Sequence, residues 1–127
     1  MSHFKKRVDL NHTEIVKNLR NKKCGIIISV LDTHELGNNA PDIIVGVYNR
    51  NYLIEIKSEK GIASKGQLNF SSNWNGTYFF AKSASEILKQ IWKDFEREFP
   101  FYLEEKEKLW SAYSFMLTLE INKEATK

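Results

Sequence analysis

Pro41-Asp42 and Glu55-Ile56-Lys57 enclose the apolar run IIVGVYNRNYLI, and no other feature of the 127 residues limits the fold as much. Residues 43–48 are β-branched and aromatic, Asn49-Arg50-Asn51 carries turn chemistry, and residues 52–56 alternate again. Two short antiparallel strands are the economical reading. Glu55 and Lys57, two apart on a strand, project from one face. Charges in an otherwise apolar strand cost free energy unless something uses them.

The residue types suggest what that use is. Two carboxylates on neighbouring strands suit Mg²⁺, a hard cation that takes oxygen ligands and keeps several waters, one of which becomes a nucleophile. A lysine beside them can orient or help deprotonate that water and offset the charge gathering on a phosphodiester in its transition state. The plainer reading is that Asp42 opens a strand after a proline turn and that Glu55 and Lys57 form a solvated edge pair. Pairing the strands about Asn49-Arg50-Asn51 puts Asp42 opposite or beyond Lys57, so a metal shared with Glu55 demands a bend at the strand mouth, with Gly46 as a candidate position.

Two blocks, THELGNNAPDIIVGVYNRNYLIEIKSEKG and then ASKGQLNFSSNWNG, decide between these readings. The first resembles the active-site core of the PD-(D/E)xK nuclease superfamily. The second is similar to the helix that follows it in small phage and virus-type replication and repair nucleases (VRR-NUC-like) and in resolvase-like members. The resemblance spans roughly residues 9–91. It implies that Asp42 and Glu55 ligate Mg²⁺, with Mn²⁺ as a substitute, and that the carbonyl of Ile56 completes the metal shell. It further implies that Lys57 is the catalytic lysine and Gln67 a helix-borne glutamine beside the site, and that Glu14 on the first helix is a further acidic ligand. On its own residue type, Gln67 reads equally well as a surface glutamine, and Glu14 as surface charge on an amphipathic helix.

The periodicity predicts a helix from residue 9 or 11 to about 23 and a buried strand over 24–31. A polar loop over 33–40 precedes the hairpin. Ser64 caps a helix reaching about 73, a short aromatic strand covers 76–81, and Ser83 or Ser85 caps a helix to about 99. The fold class is then α/β: a restriction-endonuclease-like core with a mixed four-stranded sheet flanked by helices (αβββαβα), plus a C-terminal helix over about 102–121. We expect a single domain, with a core over about 9–99 and a helical extension over 100–127. The apolar residues of that extension, Leu109, Trp110, Tyr113 and Met116 among them, need cover from the chain's own core or from a second copy. A homodimer is the favoured expectation, because branched DNA offers two symmetry-related cuts.

The net charge of +3 does not by itself announce a nucleic-acid binder. Its distribution says more. Lys5-Lys6-Arg7, Arg20, Lys22, Lys23, Lys60 and Lys65 place basic residues in the N-terminal half and near the site, whereas residues 96–107 are acid-rich. Arg20, Lys23, Lys60 and Lys65 are the candidate DNA-phosphate contacts. The only cysteine, Cys24, excludes an internal disulfide. No run approaches a membrane span and the start MSHFKKRVDLNH is not a signal peptide, so a cytosolic protein, in a bacterium or a phage-infected cell, is expected. His34 sits near Asp32 and Glu35 but reads as a solvated loop residue without a second histidine at ligand spacing, and His3 and His12 read as terminal and isolated. Of the tryptophans, Trp92 and Trp110 have core spacing, leaving Trp74 open as a base-stacking residue.

The expected activity is a metal-dependent endodeoxyribonuclease acting on branched DNA such as Holliday junctions in phage or mobile-element processing. A sequence-specific restriction or homing-type cutter, an inactive DNA-binding module on the same fold, and an RNA nuclease are the alternatives.

Overall fold

A computed structural model describes residues 11–58 and 61–125. Lys60, Lys5-Lys6-Arg7, His3 and the alternative cap Asp9 lie outside the described residues. Helix α1 (His12–Leu19) is followed by a single 3-10 turn at Lys22–Cys24, then β1 (Ser29–Asp32), β2 (Ile43–Val47), β3 (Arg50–Ile56), α2 (Lys65–Asn73), β4 (Tyr78–Ala81), α3 (Ala84–Glu96) and α4 (Leu103–Ala125). The four strands form one sheet in the order β1-β2-β3-β4, antiparallel except for the parallel β3–β4 pair that α2 connects.

Several boundaries differ from the sequence expectation, for identifiable reasons. Helix α1 stops at Leu19 because Asn21 turns extended and caps the 3-10 turn, and Gly25, at φ +94°, reverses the chain there. Strand β1 is therefore shorter than the apolar run: Ile27 falls before it and is exposed, and Leu31 is exposed on this edge strand. The hairpin turn is Tyr48-Asn49, both at positive φ, rather than Asn49-Arg50-Asn51. A two-residue turn of that hand matches the twist of the strands. Arg50 belongs to β3 instead, with its guanidinium 4.0 Å above the Phe95 ring and bonded to Asp94 and Glu98.

The two faces of the sheet are covered unequally. Ile43, Val45, Tyr52, Ile54 and Ile56 point toward the side where α1 and α3 supply Ile15, Leu19, Ile87, Leu88 and Ile91, and this is the core. Helix α4 packs on α3 and sinks Leu109, Ala112 and Met116 completely, so its inner face is covered by its own domain rather than by a second copy. Among the described residues the opposite face carries only α2, a helix with no buried residue, whose Phe70 meets Tyr78 at a ring separation of 5.6 Å. Beneath this thin cover Glu55 and Tyr78 share the face with Ile44, Leu53 and Phe80.

Candidate active site

The β2–β3 ladder ends with Ile43 opposite Ile54, three residues out of step with the register that a turn at Asn49-Arg50-Asn51 would give. The next residue, Asp42, donates its N–H to the Ile54 carbonyl, while its own carbonyl turns the other way to accept from Thr33 N–H. The strand leaves regular pairing at Asp42 and not at Gly46, which is regular strand paired with Asn51. From there the Asp42 carboxylate reaches β3, where Oδ2 accepts from Ile56 N–H at 2.8 Å.

Asp42 and Glu55 are 4% and 2% exposed. Tyr78, paired with Leu53 across β3 and β4, lies on the same face of the sheet as Glu55. Burial, followed by the charges of Glu55 and Asp42, raises its phenol well above the ordinary range. Tyr78 was not expected at the site; its signal in the sequence is only the alternation of YFFA, which puts Tyr78 and Phe80 on one face. Two carboxylates buried side by side are costly, and a divalent cation is the group that offsets such a pair. Ile56 also fits such a cation. Its N–H and the Ile54 carbonyl both point toward β2, so the Ile56 carbonyl opens on the same edge as the Asp42 carboxylate.

Lys57 continues the same face as Glu55, and its backbone N–H is fixed by Ala81 O at 2.8 Å. Its ammonium donates to Gln67 Oε1 at 2.7 Å. Gln67 is itself held by a reciprocal cap: its N–H donates to Ser64 Oγ at 3.1 Å, and its Oε1 accepts from Ser64 N–H at 3.0 Å. One carbonyl oxygen thus anchors both the start of α2 and the lysine. Beside it runs an open groove of about 490 Å³ lined by Asn39, Gly66, Asn69, Phe70, Asn73 and Trp74. Trp74 is 44% exposed and stacks nearly parallel on Phe70, the rings 5.8 Å apart.

Other expected residues lie elsewhere. Glu14 is ion-paired with Lys123 across the α1–α4 seam rather than gathered with Asp42 and Glu55, because the packing of α1 turns that side chain toward α4. Arg20 donates to the Val30 carbonyl. Lys23 precedes Gly25 and Ile26, which lie beside Tyr48 and Asn49 at the hairpin-turn end of the sheet, away from the carboxylates. Lys65 is exposed in the first turn of α2, two residues from Gln67. His12, expected to be isolated, is buried against Asp32 and His34.

No protein-family model and no curated protein matches this chain. Among solved structures, a chain described as a VRR_NUC domain matches it with a TM-score of 0.50 and 18% sequence identity, over 72% of this chain and 100% of that one. The mixed sheet, its flanking helices and this likeness give the chain the restriction-endonuclease-like fold of VRR_NUC domains, as the two sequence blocks implied.

Proposed function

We propose that the chain is a Mg²⁺-dependent endodeoxyribonuclease of the VRR-NUC type, with Mn²⁺ able to substitute. The observation that carries this reading is the meeting of two buried carboxylates, Asp42 and Glu55, with Lys57 held by Gln67 on one face of the sheet. Asp42, Glu55 and the Ile56 carbonyl are the ligand set; the bound cation supplies an activated water and neutralises phosphate charge. Gln67 accepts one ammonium proton of Lys57, which leaves the other two for a phosphate oxygen, where they stabilise the charge of the transition state. The burial of the carboxylates strengthens each of these contacts.

DNA is the proposed substrate, entering along the groove beside α2, with Lys65 toward its phosphates and the exposed face of Trp74 under a base. The remaining elements of the reading are structure-specific cutting of branched DNA such as a Holliday junction, a place in phage or mobile-element DNA processing, and a cytoplasmic location. Among the described residues no helix is long and apolar enough to cross a membrane. A homodimer belongs to the same reading, with the outer stripe of α4, Leu103, Trp110 and Leu117, as the contact.

The test is incubation of the protein with Mg²⁺ and linear, nicked, flapped and four-way DNA, beside Lys57→Ala. Cleavage of one of these by the wild type, loss of at least about a hundredfold in Lys57→Ala and retained DNA affinity support the proposal. Full turnover by Lys57→Ala would remove the lysine from the mechanism.

A further inference from the structure

On the other face of the same sheet edge lies a second group of ligand atoms. Asp32 pairs with Ile43, so its side chain falls on the α1 side of the sheet, whereas Asp42 and Glu55 open toward α2. His12 Nε2 is 3.1 Å from Asp32 Oδ2, and His34 Nδ1 is 2.5 Å from Asp32 Oδ1. One ligand atom from each of the three residues lies within 4.8 Å of the others. The two imidazole rings meet edge to face with centroids 4.9 Å apart.

The residue types are unusual for mere packing. His12 is 3% exposed, on the stripe that also holds Ile15, Val16 and Leu19, yet Asp32 is the polar group its Nε2 is seated against. A histidine on a core-facing stripe whose Nε2 is turned to a carboxylate beside a second imidazole calls for an explanation, and a bound ion is one. Asp32, by contrast, is exposed, and His34 is half-buried, so the group is open to solvent on one side. Two buried or half-buried nitrogens, one carboxylate and an open side make the ligand set of a three-residue zinc centre whose remaining position is filled by water. Glu35 Oε1 lies 3.8 Å from His34 Nε2, beyond hydrogen-bond reach but close enough to add negative charge beside the cluster.

We infer that His12, Asp32 and His34 form a second metal site, separate from the carboxylate pair, that takes a borderline divalent cation, Zn²⁺ first and Co²⁺ in its place. Mg²⁺ is the wrong ion for it, because a hard cation prefers oxygen ligands throughout. The site clamps α1 to the loop after β1, and both arms of the clamp end on the proposed active site. Asn11, next to His12, donates to the carbonyls of Lys57 and Lys82 at 3.3 and 2.6 Å. Thr33, between Asp32 and His34, donates through Oγ1 to Pro41 O at 2.7 Å and through N–H to Asp42 O at 2.8 Å. The inference stands on this geometry and does not depend on the nuclease reading.

The experiment is calorimetric titration of the full chain with Zn²⁺ and visible spectroscopy with Co²⁺, on the wild type, His34→Ala, Asp32→Asn and Glu55→Gln. We expect one Zn²⁺ site that survives Glu55→Gln and an excess of Mg²⁺, gives Co²⁺ bands of mixed nitrogen and oxygen ligation, and weakens more than about tenfold in His34→Ala and Asp32→Asn. Melting should rise with Zn²⁺ in the wild type and Glu55→Gln but not in His34→Ala, whose half-exposed position leaves the fold intact. Unchanged binding in His34→Ala, or no stoichiometric uptake by folded wild type, reduces the three residues to a hydrogen-bonded triad and overturns the inference. Loss of the ion in Glu55→Gln would overturn it too, by assigning the binding to the carboxylate pair. Cleavage of DNA with Mg²⁺ is read separately and decides neither outcome.

Discussion

Gln67 Oε1 receives two donors, the ammonium of Lys57 and the N–H of Ser64. Removing the amide leaves the lysine without its positioning partner but takes away no buried apolar surface, so Gln67→Ala should lower turnover by about ten- to a hundredfold with little change in melting. Steady-state kinetics beside a thermal melt checks this, and an unchanged rate would return Gln67 to the status of a surface residue. Tyr52 offers a test in pH. Burial, then the bond to Asp94 at 2.7 Å and the charge of that carboxylate, lift its phenol above the ordinary value of 10.0. The folded state therefore favours the neutral phenol. That contribution is complete below about pH 10 and is lost as pH rises from there through the folded-state value. Tyr52→Phe should cost about 1 kcal/mol at neutral pH and flatten the alkaline fall in stability. Denaturant midpoints from about pH 7 to about pH 11 would show it; parallel slopes in the two proteins would contradict the assignment.

Among the elements, α2 stands out because it carries a site residue without a buried anchor of its own. Its stability rests on the Ser64 cap and on Phe70 against Tyr78. Ser64→Ala should weaken the first turn by about 1 kcal/mol, speed hydrogen exchange at the α2 amides, and reduce activity while global melting barely moves. Equal loss of melting temperature and activity would mean that α2 belongs to the core after all. The same helix was the most legible element in the sequence, since Ser64 and Gln67 spell a capping box and Asn73 precedes a break. The hairpin was legible in content but not in register. Tyr48 gives no sign that it will adopt a positive φ, and Arg50 looks like turn chemistry until Phe95, Asp94 and Glu98 are seen around it. Placing the turn at Asn49-Arg50-Asn51 shifts the register by three residues and moves Asp42 away from Glu55, which the turn at Tyr48-Asn49 corrects. His12 was missed for a different reason. Its partners are 20 and 22 residues away in sequence and meet it only across the α1–β1 contact, although its spacing from Ile15, Val16 and Leu19 already marked it as a core-facing histidine.

At the scale of the whole molecule, the C-terminal helix is part of the core rather than an appendage. Leu109, Ala112 and Met116 are fully buried against α3, and Glu120 accepts from the N–H and the hydroxyl of Ser85, which closes the start of α3. Leu109→Ala should therefore cost about 2–5 kcal/mol, a large share of the about 5–15 kcal/mol that holds a domain of this size. A chain ending at Phe99 should lose cooperative unfolding and aggregate, because Ile87, Leu88 and Ile91 would keep only part of their cover. The outer stripe is a different matter. Leu103, Trp110 and Leu117 recur at intervals of seven residues and are 58%, 44% and 36% exposed, a seam that two antiparallel copies can share. Light scattering on the full chain and on Trp110→Glu separates the two roles of the helix. The expected result is a dimer that Trp110→Glu converts to a folded monomer. A wild type that stays monomeric at high concentration would confine α4 to its structural role and would leave the spacing of cuts on a branched substrate to be set by something other than this helix.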